Sequence, residues 1–232
     1  FKIYDKLVYS KFREIFGSKV EKLVSGGAPL SKEIAIFFVN IGVPVYQGYG
    51  MTEFSPVVST NYPFANKVGS CGKVIPSAQI KITANNELLV RGDSLMLGYL
   101  NQEELTKNTI DSEGWLYTGD VAYLDEDGYL FIKSRIKDIF KTSTGEYVNA
   151  VEIEQRISKN RYIEFAVVIS QNRKYTTALL FVDKEKYENV KKLNKNLTIE
   201  EYYNKDDILK NISNHINSVN SALNKWEKIV KY

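Results

Sequence analysis

Helical and strand-like patterns alternate from residue 1 to about residue 62, and that alternation constrains the fold more than any other feature of the chain. Lys32–Asn40 reads as a helix opened by Ser31, whose hydroxyl caps free amides of the first turn. Val43-Pro44-Val45-Tyr46 follows as a short buried strand. Helices alternating with short strands point to a parallel, layered α/β sheet. From about 66 to 134 the texture changes to short strands and tight turns. Runs 79–83 and 87–91 flank Ala84-Asn85-Asn86. Runs 121–124 and 129–133 flank Asp125-Glu126-Asp127-Gly128, with glycine where a hairpin needs a positive φ. The acidic string invites a calcium reading, but the ligand spacing and closing Glu of an EF-hand loop are missing, so a plain turn is expected.

Beyond about residue 138 the pattern becomes α+β. Asn149 and Glu152 form a capping-box signature in which each satisfies the other's amide. Runs 165–170 and 177–182 pair as a hairpin around Gln171-Asn172-Arg173-Lys174, and residues 185–206 read as a solvated helix and loop. Ile208, Ile212, Ile216, Val219, Leu223 and Trp226 then place one apolar stripe on a long helix packed against the preceding strands. Lys225, Lys228 and Lys231 read as the solvated face of that helix. The expected divisions are 1–62, part of a large α/β domain; 63–136, its β-rich subdomain; and 137–232, a small α+β domain.

Composition excludes several chemistries. Among 232 residues there is one cysteine, Cys71, and one histidine, His215. An intrachain disulfide, a Cys-based zinc or iron–sulfur site, a His-cluster metal site and a Ser–His–Asp triad therefore fall away. Cys71 reads as a small buried residue and His215 as structural or exposed. Trp115 reads as packing. The 31 basic and 28 acidic residues are too balanced to imply nucleic-acid binding. No apolar run approaches the length of a membrane span and no signal peptide opens the chain, so a cytoplasmic location is expected.

Chemistry concentrates in a few loops. In Ser25-Gly26-Gly27-Ala28-Pro29 two glycines let a flat ligand approach the backbone, although on these residues alone a tight strand-to-helix turn is the favoured reading. The string is neither GxGxxG nor a P-loop. Tyr49-Gly50-Met51-Thr52-Glu53 follows an apolar strand, at the end of a parallel sheet where ligands bind. There Tyr49 offers an aromatic face, Thr52 a hydroxyl for phosphate and Glu53 an oxygen for Mg²⁺, while a Glu after Thr also simply caps helices. Asp120, in Tyr117-Thr118-Gly119-Asp120, is suited to accept from ribose hydroxyls, and Arg135 to donate to the sugar or a phosphate.

In order and spacing these stretches resemble the adenylate-forming (AMP-binding) superfamily of acyl-CoA synthetases, peptide-synthetase adenylation domains and firefly luciferase. The resembling strings are Ser25-Gly-Gly-Ala-Pro-Leu30, Gly48-Tyr-Gly-Met-Thr-Glu53, Gly69-Ser-Cys-Gly72, Gly114-Trp-Leu-Tyr-Thr-Gly-Asp120, and Ser134-Arg-Ile-Lys-Asp138 followed by Lys141. Thr142-Ser-Thr-Gly-Glu-Tyr-Val148 before Glu152-Ile-Glu154 looks like the long-chain fatty acid:CoA ligase branch. The resemblance implies the synthetase fold, with a large domain that binds the adenylate and a mobile C-terminal domain. It implies a ligase that uses ATP and Mg²⁺ to activate a fatty acid as acyl-AMP and then transfers it to coenzyme A. By position, Gly26, Gly27 and Ala28 would line the adenine pocket with Tyr49 and Gly50, Thr52 would bind phosphate and Glu53 the magnesium. Asp120 and Arg135 would hold the ribose, Lys137 would be the hinge, and Lys141 with Gly145 would serve the thioester step.

The family's Ser/Thr/Gly-rich phosphate loop would precede Phe1, and its C-terminal lysine would follow Tyr232. The chain opens without methionine. It therefore reads as an excerpt of a longer protein, one expected not to adenylate at a useful rate by itself. The alternatives are a synthetase charging an acyl carrier protein and a catalytically inactive nucleotide-binding remnant. Greasy substrates are compatible with peripheral membrane contact; oligomeric state is not readable.

Overall fold

The computed structural model describes residues 4–17 and 19–232. The chain divides into two compact units, Phe1–Lys133 and Ser134–Tyr232.

In the first unit a single π-helical turn, Asp5–Tyr9, runs into helix α1 (Ser10–Ile15). Strand β1 (Leu23–Ser25) lies parallel to β2 (Val45–Gly50), and α2 (Lys32–Asn40) crosses between them. Ser31 caps α2 as expected, its Oγ accepting from the Ile34 amide at 3.2 Å. Strands β3 (Val57–Thr60) and β4 (Lys73–Val74) extend this sheet antiparallel in the order β1-β2-β3-β4. A second sheet orders β5 (Ala78–Ile82), β6 (Glu87–Gly92), β7 (Leu116–Leu124) and β8 (Leu130–Arg135), with helix α3 (Glu103–Thr109) inserted before β7. Phe54, Val58, Leu88, Val90, Leu116 and Leu130 form one buried core that joins the two sheets.

Two strand boundaries differ from the sequence expectation. The strand expected at residues 43–46 instead runs from Val45 through Gly50, so Tyr49 lies within it. The strand expected from Val121 begins at Leu116, so the Tyr117-Thr118-Gly119-Asp120 string lies in β7 and not in a loop. In both places the pairing strand supplies ladder hydrogen bonds that local sequence does not reveal.

The acidic turn is a plain turn. Asp125 Oδ1 accepts from the amides of Asp127 (3.1 Å) and Tyr129 (2.8 Å), and the Lys67 ammonium sits on Asp125 (2.6 Å) and Asp127 (2.7 Å). Among the described residues no group of three or more His, Cys, Asp or Glu side chains is arranged to hold a metal ion.

In the second unit β9 (Ile139–Lys141) and β10 (Tyr147–Asn149) form a hairpin that leads into α4 (Ala150–Ile157). Asn149 Oδ1 accepts from the Glu152 amide at 3.4 Å, but the expected reciprocal bond gives way to an ion pair in which Arg156 Nη2 donates to Glu152 at 2.6 Å. Strands β11 (Ile163–Ile169) and β12 (Thr176–Val182) are antiparallel, and β13 (Ile229–Lys231) joins β12 in parallel. Helices α5 (Lys184–Lys191), α6 (Ile199–Tyr203) and α7 (Asp206–Ser221) complete the unit.

Residues 185–206 are not simply a solvated helix and loop. Tyr187, Tyr202 and Tyr203 are buried in the core with Ile153, Ile157, Ile208 and Ile216. Tyr187 donates to the Leu197 carbonyl and Tyr203 to that of Asp183, so each ring is buried with its hydroxyl satisfied. The apolar stripe also ends sooner than expected. Helix α7 stops at Ser221, Leu223 packs on the core from a turn, and Trp226 and Lys225 lie outside the helix while Lys231 lies in β13. Asn220 makes the reversal, donating to the Ile229 carbonyl (2.9 Å) and accepting its amide (2.8 Å).

Candidate nucleotide site

The site is built where β1 and β2 end. Their parallel register sets Ser25 opposite Gln47, so the Gly26-Gly27 turn emerges beside β2. A Cβ on Gly26 would stand 3.7 Å from the Gly48 carbonyl, whereas Gly27, at φ +79°, faces open space. Gly26, Gly27 and Ala28 are all exposed. The first strand end thus offers bare backbone to a planar group.

Tyr49, the penultimate residue of β2, donates its hydroxyl to Asp120 Oδ2 at 2.5 Å, across 71 positions of sequence. A bulge makes this meeting possible. Between the pairs Glu87–Val121 and Leu89–Tyr117, β7 carries more residues than β6. The surplus Thr118-Gly119-Asp120 turns back on itself, with Gly119 at φ +70°. Thr118 Oγ1 donates to the Leu88 carbonyl at 2.7 Å and accepts the Asp120 amide at 3.1 Å, and the Gly119 amide donates to Glu87 Oε1 at 3.2 Å. Bulges re-aim side chains in this way. Asp120 is buried. Burial first, and then the neighbouring Asp120 charge, push the Tyr49 hydroxyl well above its ordinary pKa, so it remains a proton donor at every working pH.

The turn after β2 carries Thr52, exposed, and Glu53, half-buried. Glu53 Oε1 accepts from the Tyr99 hydroxyl at 2.9 Å, and its carbonyl accepts the Met96 amide at 2.8 Å. Gly50 belongs to the same close packing, because a Cβ there would stand 1.8 Å from the Pro56 carbonyl oxygen.

Arg135, Lys137, Lys141 and Gly145 lie in the second unit. Arg135 ends β8, and Lys137 sits exposed in the 3₁₀ turn Ile136–Asp138 between β8 and β9. Lys141 ends β9 with its ammonium 5.8 Å from the Tyr147 ring centroid. Gly145, at φ +91°, makes the hairpin turn with open space around it. Glu154 has a structural part, its Oε1 accepting the Val168 amide at 2.7 Å. His215 does as well: its Nε2 lies 3.0 and 3.1 Å from the carbonyls of Arg156 and Ile157 at the end of α4. Trp115 packs under Arg91, whose guanidinium lies 4.6 Å from the ring centroid.

Cys71 is buried beside β2, with Gln47 Nε2 3.9 Å from its sulfur. Burial, reinforced by the Asp120 charge, raises its thiol pKa to about 11. The thiolate fraction near neutral pH falls accordingly, so native Cys71 is expected to react with a disulfide reagent on the order of 100-fold more slowly than in urea-unfolded chain. Equal rates in the two states, read from thiolate release, would show the thiol is accessible.

Sequence reasoning missed three members of this cluster: Tyr99, Thr118 as the pin of the bulge, and Gln47. Thr118 stood inside a recognised string. Tyr99, 46 positions from Glu53, has no local signal that pairs the two.

Comparison with known proteins decides the family. The AMP-binding enzyme model matches residues 2–100, and the AMP-binding enzyme C-terminal domain model matches residues 137–232. The chain belongs to the AMP-binding enzyme family. It is 32% identical over 233 aligned positions to a long-chain-fatty-acid–CoA ligase of Mycobacterium bovis, covering 99% of this chain and 39% of that protein. It superposes on the adenylation domain of a Mycobacterium chelonae carboxylate reductase with a TM-score of 0.73 at 22% identity, covering 99% of this chain and 36% of that one. A Bacillus subtilis O-succinylbenzoate coenzyme A synthetase, solved with ATP and magnesium ion, gives 0.67 at 25% identity, covering 90% and 42%. This AMP-binding chain thus spans about two fifths of the relatives it matches. Its mixed α/β architecture is that of the synthetase fold. Among the described residues no helix is long and apolar enough to cross a membrane.

Proposed function

We propose that this AMP-binding chain serves an acid–thiol ligase that activates a long-chain fatty acid with ATP and passes the acyl group to coenzyme A. The observation that carries the reading is the Tyr49–Asp120 hydrogen bond beside the exposed Gly26-Gly27 turn. It joins an aromatic face, bare backbone and a buried carboxylate, the groups needed for adenine and ribose. The long-chain substrate and the coenzyme A acceptor rest on the name of the M. bovis relative.

In this reading Phe1–Lys133 is the end of the adenylate-binding domain and Ser134–Tyr232 the small domain that turns about Lys137. Gly26, Gly27, Ala28, Tyr49 and Gly50 hold adenine; Asp120 and Arg135 hold the ribose. A fatty-acid carboxylate oxygen bonds to the α-phosphorus as the bond to pyrophosphate breaks. The thiol sulfur of coenzyme A then bonds to the acyl carbon, its proton is released, and AMP leaves. Charge builds on the α-phosphate oxygens in the first step, and in this reading the exposed Thr52 hydroxyl donates to it. Lys141 and the Gly145 turn serve the second step.

The residues also fit Mg²⁺. Among the described residues the Tyr99 hydroxyl occupies one Glu53 oxygen, and one or two carboxylates completed by substrate phosphates are the usual way Mg²⁺ is held. When bound, the cation would neutralise phosphate charge.

The test is thioester formation by the native polypeptide with ATP, Mg²⁺, palmitate and either coenzyme A or acyl carrier protein. Palmitoyl-CoA and stoichiometric AMP are expected. Thioester on carrier protein alone would reassign the acceptor, and nucleotide binding without either product would identify a catalytically inactive remnant.

A further inference from the structure

Glu53 is held from two sides by a segment that none of the ligand-contacting strings includes. The Tyr99 hydroxyl donates to Glu53 Oε1 at 2.9 Å, and the Met96 amide donates to the Glu53 carbonyl at 2.8 Å. The Tyr99 end is itself fixed. Its amide donates to Thr106 Oγ1 at 2.9 Å, and that hydroxyl donates to the Gln102 carbonyl at 3.0 Å, so the loop is tied to α3. Approach is close here, since a Cβ on Gly98 would lie 2.9 Å from the Thr106 methyl.

We propose that Tyr99 is a positioning residue for Glu53, holding Oε1 so that Oε2 is the oxygen presented to the divalent cation that accompanies ATP. The inference rests on the reading of Glu53 given above. A glutamate side chain in water samples several rotamers, and ordering it costs entropy when the cation binds. A hydroxyl already bonded to one carboxylate oxygen moves that cost to folding. The bond, from a neutral phenol to a carboxylate, is charge-assisted. Groups that orient a ligand from behind in this manner change metal affinity by about ten- to a hundredfold when removed.

Mn²⁺ is the probe, measured by electron paramagnetic resonance on the native polypeptide with ATP present. Tyr99→Phe is expected to weaken Mn²⁺ binding about tenfold. Metal-free AMP binding, which does not involve Glu53, should stay within about twofold of the parent. Glu53→Gln is the reference, and adding Tyr99→Phe to it should weaken Mn²⁺ no further. Unchanged Mn²⁺ affinity in Tyr99→Phe, with Glu53→Gln impaired, would overturn the proposal while leaving the Glu53 reading intact. Unchanged affinity in Glu53→Gln would remove Glu53 from the metal, and the proposal with it. An equal loss of metal-free AMP binding in Tyr99→Phe would reduce Tyr99 to packing.

Discussion

Replacing Asp120 with alanine is expected to lower the affinity of the protein for AMP and ATP about a hundredfold. Two ribose hydroxyls would each lose a bond to a carboxylate, a loss of roughly 1.5–3 kcal/mol per bond before water compensates. The carboxylate is buried and held by the β7 bulge, and water entering the vacated space recovers part of that loss. Tyr49→Phe should cost far less, because it removes the donor to Asp120 and keeps the ring proposed to hold the base. Calorimetric titration with AMP checks both. Asp120→Ala with parental affinity would take Asp120 out of the ribose role. A Tyr49→Phe loss as large as that of Asp120→Ala would mean the phenol itself contacts ligand.

Gly72→Ala is expected to destabilise the first unit severely. An added Cβ would stand 1.8 Å from the Thr60 carbonyl carbon, 2.0 Å from the Asn61 nitrogen and 2.1 Å from the Thr60 oxygen, all backbone. Gly72 also lies at φ +83°, a conformation that adds strain for any L side chain. The segment cannot retreat, because the Cys71 amide donates to the Leu130 carbonyl at 2.7 Å and the Leu130 amide to the Gly72 carbonyl at 2.9 Å. A loss of about 4 kcal/mol or more is expected, in the range reserved for such backbone conflicts. Gly119→Ala is the control: φ is +70° but the surrounding space is open, so only the left-handed cost of about 1–2 kcal/mol applies. Urea unfolding of the two variants separates them. Equal losses would mean the Thr60–Gly72 approach does not constrain the fold.

The two predictions probe different ranges of interaction, and the same division separates what was legible beforehand. Ser31 and the α2 helix, the hairpin turns at Ala84-Asn85-Asn86 and Asp125–Gly128, and the buried character of Cys71 were all readable, since each depends on a few adjacent residues. The string around Tyr49 and the string around Asp120 each carry residue types that suit a ligand, and that much is visible in the sequence. That they touch is not, because contact depends on where a bulge falls in the pairing of β6 with β7.

Periodicity carried the α7 stripe correctly through Val219 and then too far. Three- and four-residue spacing continues to Leu223, but the bonds of Asn220 to Ile229 reverse the chain, and no helical pattern reports a partner nine residues ahead. The tyrosines of residues 185–206 were hidden for the opposite reason. Surrounding lysines and asparagines look solvated, and only the packing of α5 and α6 on the core shows that the rings face inward. By itself, then, the sequence determined the residue types of the site, their order and the local caps and turns, all interactions of short range. Tertiary structure alone decided that Asp120 meets Tyr49 and that Tyr99 meets Glu53. A hydrogen bond across tens of residues exists only once sheet register has brought its two ends together.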